Sequence, residues 1–387
     1  MNWVIKENND NESVKKLSNE LNISPILSSM LVNRRVKTFD EAKKFFRPNF
    51  EMLHDPFLMK DMSLAVERIQ KAIQKNESIM IFGDYDVDGT SSVALLSMYL
   101  ESLGLKIIKY LPDRKKEGYG VSINAIDHAF SKNHKLIIAL DCGIKAHKQV
   151  EYAKEKGIEF IICDHHNPDK NLPKALAILN PKRKDCAYPF KELCGCGVGF
   201  KLVQAVESKQ SKNNQIINYL DLVALAIAAD VVPLTGENRV LSFIGLQIIN
   251  SNPRPGVHSL LKKNVKKEYT ISDLMYYVGP RINAAGRMKH ASLALELLIC
   301  NDINSVEKLA LEIEDLNTSR RDIEKDITSQ AIEQVDNSSE KLNSIVVFDS
   351  DWNKGVIGIV ASRLVDKYYK KLPSNLNVRV SGFMVNG

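Results

Sequence analysis

The chain has 387 residues, of which 44% are hydrophobic and 26% charged, an ordinary composition for a globular protein of two or three domains. Its 53 basic and 47 acidic side chains leave a net charge of +6, which is compatible with a polyanionic partner without requiring one. We expect no membrane attachment and a cytoplasmic location, because no apolar run is long enough to span a bilayer and no signal-peptide core is present. Of the six cysteines only Cys194 and Cys196 form a close pair, which is weak evidence for zinc.

Residues 1–56 are typical of a small helical segment. Apolar side chains recur there at helical spacing, and Thr38 stands where an N-cap would start a helix. The segment is basic, which fits either a solvated helix face or a surface turned towards nucleic acid; the side chains are Arg34, Arg35, Lys37, Lys43, Lys44 and Arg47.

Apolar runs alternate with helical patterns through residues 57–245. Strands are predicted at 79–82, 106–111, 136–140 and 159–163. Helices are predicted at 62–74, 91–103, 122–131, 145–156 and 222–229. Strands that alternate with helices over short connections predict an α/β fold, with a mostly parallel sheet covered by helices on both faces.

Acidic and histidine side chains follow three of these strands and the last of these helices. They are Asp84, Asp86 and Asp88 after the first strand, Asp141 after the third, Asp164, His165 and His166 after the fourth, and Asp230 after the apolar helix. The carboxyl ends of parallel strands meet at one edge of a sheet, so the side chains that follow the three strands are expected to converge. Asp230 follows a helix that is apolar all round, so its carboxylate must be paired or metal-bound if it stays inside the protein. Neighbouring carboxylates repel one another unless a cation neutralises them. Carboxylate oxygens with imidazole suit Mn²⁺ or Mg²⁺, with Zn²⁺ and Co²⁺ as alternatives, and such a cluster around two ions suits phosphoryl displacement.

Each of these groups also has a simpler interpretation. Asp84 to Asp88 could form a solvated acidic turn, Asp141 could cap a strand end, and His165 could be a hydrogen-bonded turn residue. Their joint placement at strand ends favours the metal site.

Four of these segments resemble the motifs of the DHH phosphoesterases. They are Asp84-Tyr85-Asp86-Val87-Asp88-Gly89, Asp141-Cys142-Gly143, Asp164-His165-His166 and Ala228-Ala229-Asp230. Two later segments are similar to motifs of the RecJ-type single-strand-specific exonucleases within this family, namely residues 279–288 and residues 354–364. The resemblance covers residues 57–370.

The resemblance implies two manganese or magnesium ions held by aspartates and one histidine: Asp86, Asp88, Asp141, His165 and Asp230, with Asp84 in or beside the ligand shell. The implied catalytic residues are Asp86, Asp141, His165, His166 and Asp230. Substrate phosphate is expected to meet His166 and three arginines, Arg281, Arg287 and Arg114, because guanidinium matches phosphate in a bidentate manner. The alternatives are a surface salt bridge for Arg281 and Arg287, and a solvated loop for Arg114.

The resemblance also implies the activity, a metal-dependent 5′→3′ exonuclease that releases mononucleotides from single-stranded DNA in DNA repair and recombination. Single-stranded DNA is the expected partner, and a single-strand DNA-binding protein or a helicase is the candidate protein partner. The alternative functions are a DHH phosphodiesterase for short oligonucleotides or cyclic dinucleotides, and a non-catalytic single-strand-binding relative.

The second half of the chain predicts a connector over residues 246–341 and a further domain over residues 342–387. The connector contains one long helix at 303–335, with polar residues interrupting its apolar stripe at 317–321. The further domain starts with a strand at 344–349 and a helix at 355–369. After about residue 371 the sequence no longer resembles RecJ, so an incomplete second α/β domain, truncated or divergent, and a weak grip on long strands are expected. Asn353 stands where the family pattern has histidine, which makes a substrate role at that position doubtful.

Overall fold

The computed structural model describes residues 10–210, 216–262, 264–337 and 345–368. The start of the chain and the predicted divergence after residue 371 lie outside the described residues. Three helices come first: α1 (Asn11–Leu21), α2 (Pro25–Val32) and α3 (Phe39–Phe46). Thr38 caps α3 in a reciprocal capping box with Glu41, as the sequence predicts. These helices share a small apolar core of their own.

Five parallel strands form the central sheet, in the order β2-β1-β3-β4-β5. They are β1 (Ser78–Gly83), β2 (Lys106–Tyr110), β3 (Leu136–Leu140), β4 (Glu159–Cys163) and β5 (Ala177–Leu179). The predicted parallel α/β sheet is confirmed, and β1 to β4 are the four predicted strands. β5 was not predicted, because three apolar residues are too few to show a strand period.

Helices cover both faces of this sheet, as predicted. The helices of this part of the chain are α4 (Met62–Lys75), α5 (Val87–Ser102), α6 (Ile123–Ser131), α7 (His147–Glu155), α8 (Gly195–Glu207), α9 (Leu220–Asp230) and α10 (Gly236–Ser251), with short 3₁₀ helices at Phe50–Met52, Pro56–Leu58 and Ile216–Tyr219. Helix α10 packs on α9. Side chains alternate along each strand, so Ile79 and Ile81 join one apolar core with α4, α5, α8 and α9. Met80 and Phe82 join a second core with α6 and α7. Both faces are therefore buried, which explains the continuous apolar runs in the sequence.

Helix α5 begins at Val87, four residues earlier than the sequence predicts. The side chain of Asp86 is the N-cap, because its Oδ1 accepts a hydrogen bond of 3.0 Å from the backbone N–H of Gly89. A Cβ atom on Gly89 would lie 2.4 Å from the carbonyl oxygen of Asp84, so only glycine allows this approach. The early start places Asp88 in the first turn of the helix.

Seven further helical segments complete the described chain. They are α11 (Pro255–Leu261), α12 (Ile271–Asp273), a π-helical turn (Leu274–Val278), α13 (Gly279–Met288), α14 (Ser292–Ile299), α15 (Ile303–Asp336) and α16 (Ile357–Tyr368). The predicted long helix is confirmed as α15, whose 34 residues extend over about 51 Å without a break. It packs against α11, α13, α14 and α16.

The strand predicted at 344–349 is not formed in its described part, residues 345–349. Val346 and Phe348 are 88% and 66% exposed, because no neighbouring strand in the described chain covers them. The side-chain amide of Gln334 instead pairs with both the N–H and the C=O of Phe348, each at 3.1 Å. None of the helices in the described ranges is long and apolar enough to cross a membrane.

Candidate metal centre

The first aspartate motif holds its three carboxylates in three different backbone settings. Asp84 directly follows β1 and is 1% exposed. Asp86 caps α5. Asp88 lies inside α5, and its two carboxylate oxygens accept hydrogen bonds from the first amides of α8, 2.6 Å from the N–H of Gly195 and 2.7 Å from the N–H of Cys196. The positive end of α8 therefore stabilises the charge on Asp88.

Asp141 lies in the turn that follows β3, with a left-handed φ of 60°. Its N–H donates a hydrogen bond of 2.9 Å to the carbonyl oxygen of Cys163, which holds the turn against β4. A Cβ atom on Gly195 would lie 2.6 Å from Oδ1 of Asp141, so the glycine leaves room for the carboxylate. A strained backbone at a buried carboxylate is characteristic of functional sites.

His165 follows β4 and lies among three carboxylates. Its Nε2 is 3.2 Å from Oδ1 of Asp141, 3.7 Å from Oδ2 of Asp230 and 3.8 Å from Oδ2 of Asp88. At these distances and angles neither ring nitrogen of this buried residue makes a hydrogen bond within the described chain. The sheet edge and the end of α9 thus bring together side chains that are far apart in the sequence.

Asp164 organises the two histidines that follow it, a role that the sequence analysis did not assign although the residue belongs to the Asp164-His165-His166 motif. Its Oδ1 accepts hydrogen bonds from the N–H of His165 at 2.7 Å and of His166 at 3.0 Å, and lies 2.8 Å from Nδ1 of His166. Its Oδ2 accepts from the N–H of Ile144 at 2.9 Å, in the turn after Asp141. The fixed Nδ1 leaves Nε2 of His166 facing the hydroxyl of Tyr119, 3.4 Å away.

The electrostatics of the site favour a bound cation. Burial, and then repulsion by Asp86, raises the pKa of Asp84 to about 7 and that of Asp230 to about 6. Burial and neighbouring carboxylates also raise the pKa of Asp88 and Asp141 well above the usual range. Burial, and then the nearby His166, lowers the pKa of His165 to about 4, so this imidazole is neutral at pH 7, as a metal ligand must be.

Two sets of side chains have ligand atoms within 4.8 Å of one another. One is Asp141 with His165 and His166, and the other is Asp88 with His165 and Asp230. Within the described residues no cysteine joins either set. Oδ1 of Asp84 and Oδ1 of Asp141 are buried and accept no hydrogen bond there. Carboxylate oxygen and imidazole nitrogen without thiolate fit hard divalent cations.

The three arginines predicted to meet phosphate have different surroundings. Arg281 is 7% exposed, and its Nε and Nη2 donate to the two carboxylate oxygens of Glu314 at 2.6 and 3.2 Å. Its Nη1 donates to the carbonyl oxygen of Tyr277 at 2.7 Å. This is the salt-bridge alternative in a buried form, and it joins α13 to α15 instead of leaving the guanidinium open to phosphate.

Arg287 and Arg114 lie within electrostatic reach of the first aspartate motif, since the charge of Asp86 acts on Arg287 and that of Arg114 acts on Asp84. Arg287 borders a cavity beside Ala229, and its Nη1 donates to the carbonyl oxygen of Gly355 at 2.8 Å. The guanidinium of Arg114 lies 4.8 Å from the ring centre of Tyr85, the residue between Asp84 and Asp86 in the first aspartate motif. Both positions remain compatible with a contact to substrate phosphate.

This sheet, with its carboxylates and histidines at one edge, defines a protein of the DHH class. The family model described as "DHH family, N-terminal domain" matches residues 78–227. That range contains every strand of the sheet and the helix α9 up to Ile227.

Sequence relatives indicate which group within the DHH family this chain resembles. The chain is 40% identical over 375 residues to the single-stranded-DNA-specific exonuclease RecJ of Bacillus subtilis, a match that covers 96% of this chain and 47% of the relative. It is 36% identical to RecJ of Dickeya dadantii, over 89% of this chain and 62% of the relative. The chain thus spans between about half and just under two thirds of the length of these two curated relatives.

Solved structures that resemble this chain are also RecJ proteins. A crystal structure of exonuclease RecJ bound to manganese is 31% identical, with a TM-score of 0.74 and coverage of 82% of this chain and 79% of that chain. RecJ of Thermus thermophilus in complex with Mn²⁺ is 27% identical, with a TM-score of 0.79 over 92% of this chain and 51% of that chain. The chain belongs to the RecJ proteins of the DHH family.

Proposed function

We propose that this chain hydrolyses phosphodiester bonds of single-stranded DNA with two divalent metal ions, in the 5′→3′ direction, and releases mononucleotides. The observation that carries the proposal is the position of His165 Nε2 among the carboxylates of Asp88, Asp141 and Asp230. Two related RecJ structures contain Mn²⁺ and a third contains Mg²⁺, and both ions suit the oxygen-rich ligand set of this chain. The proposed setting is the cytoplasm, in DNA repair and recombination.

In this proposal Asp84, Asp86, Asp88, Asp141, His165 and Asp230 hold the metal ions. When bound, the ions lower the pKa of water and neutralise charge that develops on the phosphate. The chain's own residues orient the reaction: the first amides of α8 fix Asp88, and Asp164 fixes both histidines. The hydrogen bond that Nδ1 of His166 donates to Asp164 raises the pKa of His166, which favours a protonated ring able to donate to a phosphate oxygen.

The test is hydrolysis of a 5′-labelled single-stranded oligonucleotide by purified protein with Mn²⁺. We expect release of labelled mononucleotide, loss of activity with chelator, and loss of activity in Asp141→Ala. Equal product release by wild type and Asp141→Ala would contradict the proposal. Faster turnover of dinucleotides than of long strands would support the short-oligonucleotide alternative. Strand binding by a protein that takes up no metal when Mn²⁺ is supplied, as judged by elemental analysis, and that hydrolyses nothing would support a non-catalytic relative.

The partner and domain proposals are tested separately. Single-stranded DNA reaches the site when a helicase or a single-strand DNA-binding protein supplies it, and stimulation of hydrolysis by either protein tests this step. We also propose the division of the chain at about residues 57, 246 and 342. Limited proteolysis near these positions, followed by mass spectrometry, tests that division.

A further inference from the structure

Helix α3 exposes two phenylalanine rings. Phe39 and Phe46 are 50% and 59% exposed. Lys43 lies between them, four residues after Phe39 and three before Phe46, so the three side chains share one face of the helix. Ala42, on another side of α3, is buried in the core of the three N-terminal helices. Phe39, Lys43 and Phe46 form a surface, which we call the α3 face, whose two rings are open to solvent within the described chain.

The ring of Phe46 is exposed but held in place. It meets the ring of Phe45 edge-on, with the ring centres 5.1 Å apart and an angle of 87° between the planes. Arg239 of α10 lies over the ring of Phe45, with its guanidinium carbon 3.6 Å from the ring centre. Its Nε also donates a hydrogen bond of 2.7 Å to the carbonyl oxygen of Phe45. A ring that is fixed in advance loses little conformational entropy when a partner stacks on it.

Cations lie beside the two rings. Lys43, Lys44 and Arg47 are exposed, and none of them forms an ion pair within the described residues. The acidic side chains of α3, Asp40 and Glu41, lie in its first turn, whereas the cations follow in its last turn and at its C-cap. The dipole of the helix accounts for cations at this end, but not for two exposed aromatic rings beside them. Aromatic rings together with unpaired cations match a single nucleic-acid strand, whose bases stack and whose phosphates are charged.

The α3 face is connected to the candidate metal centre through α10. Arg239, the residue that holds α3, lies in the first turn of α10. Helix α9 ends at Asp230, and residues 231–235 join the two helices. The Cα atoms of Asp230 and Arg239 are therefore no more than about 27 Å apart. Val231 and Leu234 are 65% and 41% exposed, so the connection that leads from the carboxylates to α10 also presents apolar surface to solvent.

We propose that the α3 face binds the single-stranded DNA that extends beyond the carboxylate cluster. Bases stack on Phe39 and Phe46, and Lys43 pairs with a backbone phosphate. This proposal rests on the proposed function for its ligand and adds a contact region outside the metal centre. Stacking and phosphate pairing are independent of base sequence, as an enzyme that proceeds along a strand requires. The DNA held there is the part of the strand that has not yet been hydrolysed.

The first test is equilibrium binding of a fluorescein-labelled oligothymidylate, measured by anisotropy in EDTA so that no hydrolysis occurs. The strand has about 20 nucleotides, which is longer than a typical single-strand site. Phe46→Ala is expected to weaken binding at least about fivefold, the lower end for the loss of one stacked base, without a change in salt dependence. Lys43→Gln is expected to reduce the slope of log affinity against log salt concentration by about 0.7, the value for one phosphate contact on a single strand. Phe46→Trp keeps a stacking ring and should retain wild-type affinity.

Matched controls lie at the other edge of the sheet. Phe130 is 49% exposed near the end of α6, which leads into the amino end of β3, whereas the carboxylates follow the carboxyl ends of the strands. Lys132, two residues later, is exposed as well. Phe130→Ala and Lys132→Gln remove the same types of side chain as the two test variants. Both controls are expected to keep the wild-type affinity and salt slope.

The second test compares the hydrolysis of long and short substrates with Mn²⁺. Phe46→Ala and Lys43→Gln are expected to lower kcat/KM on the long strand about fivefold. On a dinucleotide, which is too short to extend from the carboxylates to α3, both variants should keep the wild-type kcat/KM. A wild type that hydrolyses neither substrate would contradict the proposed function, and the binding comparison would still decide the role of the α3 face.

Three results would overturn the proposal. One is binding of the long strand by Phe46→Ala and Lys43→Gln with the affinity and salt slope of the controls. Another is an equal loss of activity on the dinucleotide and on the long strand, because it would indicate damage to the metal centre. The third is wild-type DNA affinity in variants that change from dimer to monomer in light scattering, which would make the α3 face a contact between two copies of the chain. Should Phe46→Ala not fold, as judged by circular dichroism, the salt slope of Lys43→Gln decides.

Discussion

Gly195 allows the most direct test of how the candidate metal centre is built. In Gly195→Ala, the added Cβ would lie 2.6 Å from both Cβ and Oδ1 of Asp141. Ordinary contact begins near 3.4 Å, so about 0.8 Å of movement is needed. The movement is difficult on either side: Asp141 is held in a left-handed turn, and a shift of α8 would lengthen the hydrogen bonds from Gly195 and Cys196 to Asp88.

Either relaxation displaces a carboxylate of the site. A displacement of this size costs about 100-fold in rate when it affects a reacting group. We therefore expect Gly195→Ala to lower kcat/KM on single-stranded DNA by about 100-fold and to weaken Mn²⁺ binding measured by isothermal titration calorimetry. The fold should persist, because the rest of α8 stays packed.

Gly199→Ala is the matched control on the same helix. The nearest atom to its new Cβ would be Cδ2 of Leu140 at 3.4 Å, which is ordinary contact. Alanine in a helix interior is more favourable than glycine by roughly 0.5–1 kcal/mol, so this variant should unfold at a slightly higher urea concentration and keep wild-type Mn²⁺ affinity. Wild-type metal affinity in Gly195→Ala would refute the reasoning.

Three further predictions concern pH, the buried ion pair and Asp164. Mn²⁺ affinity, measured by calorimetry, should rise at least about tenfold from pH 5.5 to 6.5 and level off above pH 7. The reason is that the metal must displace protons from Asp84 and Asp230, whose pKa values are raised to about 7 and about 6. A Mn²⁺ affinity that does not change with pH would contradict this prediction. Lys201→Met should lower the free energy of unfolding in urea by about 3–5 kcal/mol, because it leaves the buried carboxylate of Glu237, 1% exposed, without its cation. The control is Lys262→Met, which breaks the exposed pair with Glu307 and should cost under about 1 kcal/mol. Asp164→Asn should lower the pKa of His166, seen by NMR titration, and reduce kcat; an unchanged His166 pKa would remove the positioning role of Asp164.

The sheet was predictable because its strands are buried on both faces. Each of β1 to β4 is an apolar run that ends at a turn residue, and parallel pairing follows from the helices between them. The convergence of Asp141 and His165 followed from the same topology, whereas Asp230 ends the helix α9 and was expected at the site from the burial of that helix and from the family resemblance. The start of α5 was not predictable from apolar spacing, because it depends on a single side-chain cap from Asp86.

Other features depend on contacts between distant residues and could not be derived from the sequence. Arg281 pairs with Glu314, 33 residues later, on a different helix. The sequence around Arg281 is compatible with phosphate binding and contains no sign of that partner. The sequence does contain the signal for the positioning role of Asp164, since a carboxylate directly before two histidines can accept their N–H groups. The predicted strand is not formed over residues 345–349, its described part, because β-propensity alone does not provide a pairing neighbour, and none lies beside this segment among the described residues.

The helical setting of Asp88 makes the length of the first motif a strict constraint. Each residue of an α-helix turns about 100° around the axis. One residue inserted or deleted between Asp86 and Asp88 would therefore rotate the Asp88 carboxylate away from the amides of Gly195 and Cys196. Substitutions at Tyr85, between Asp84 and Asp86, leave that rotation unchanged. Descendants of this protein can change the chemistry of the intervening side chains far more readily than the number of residues that separates them.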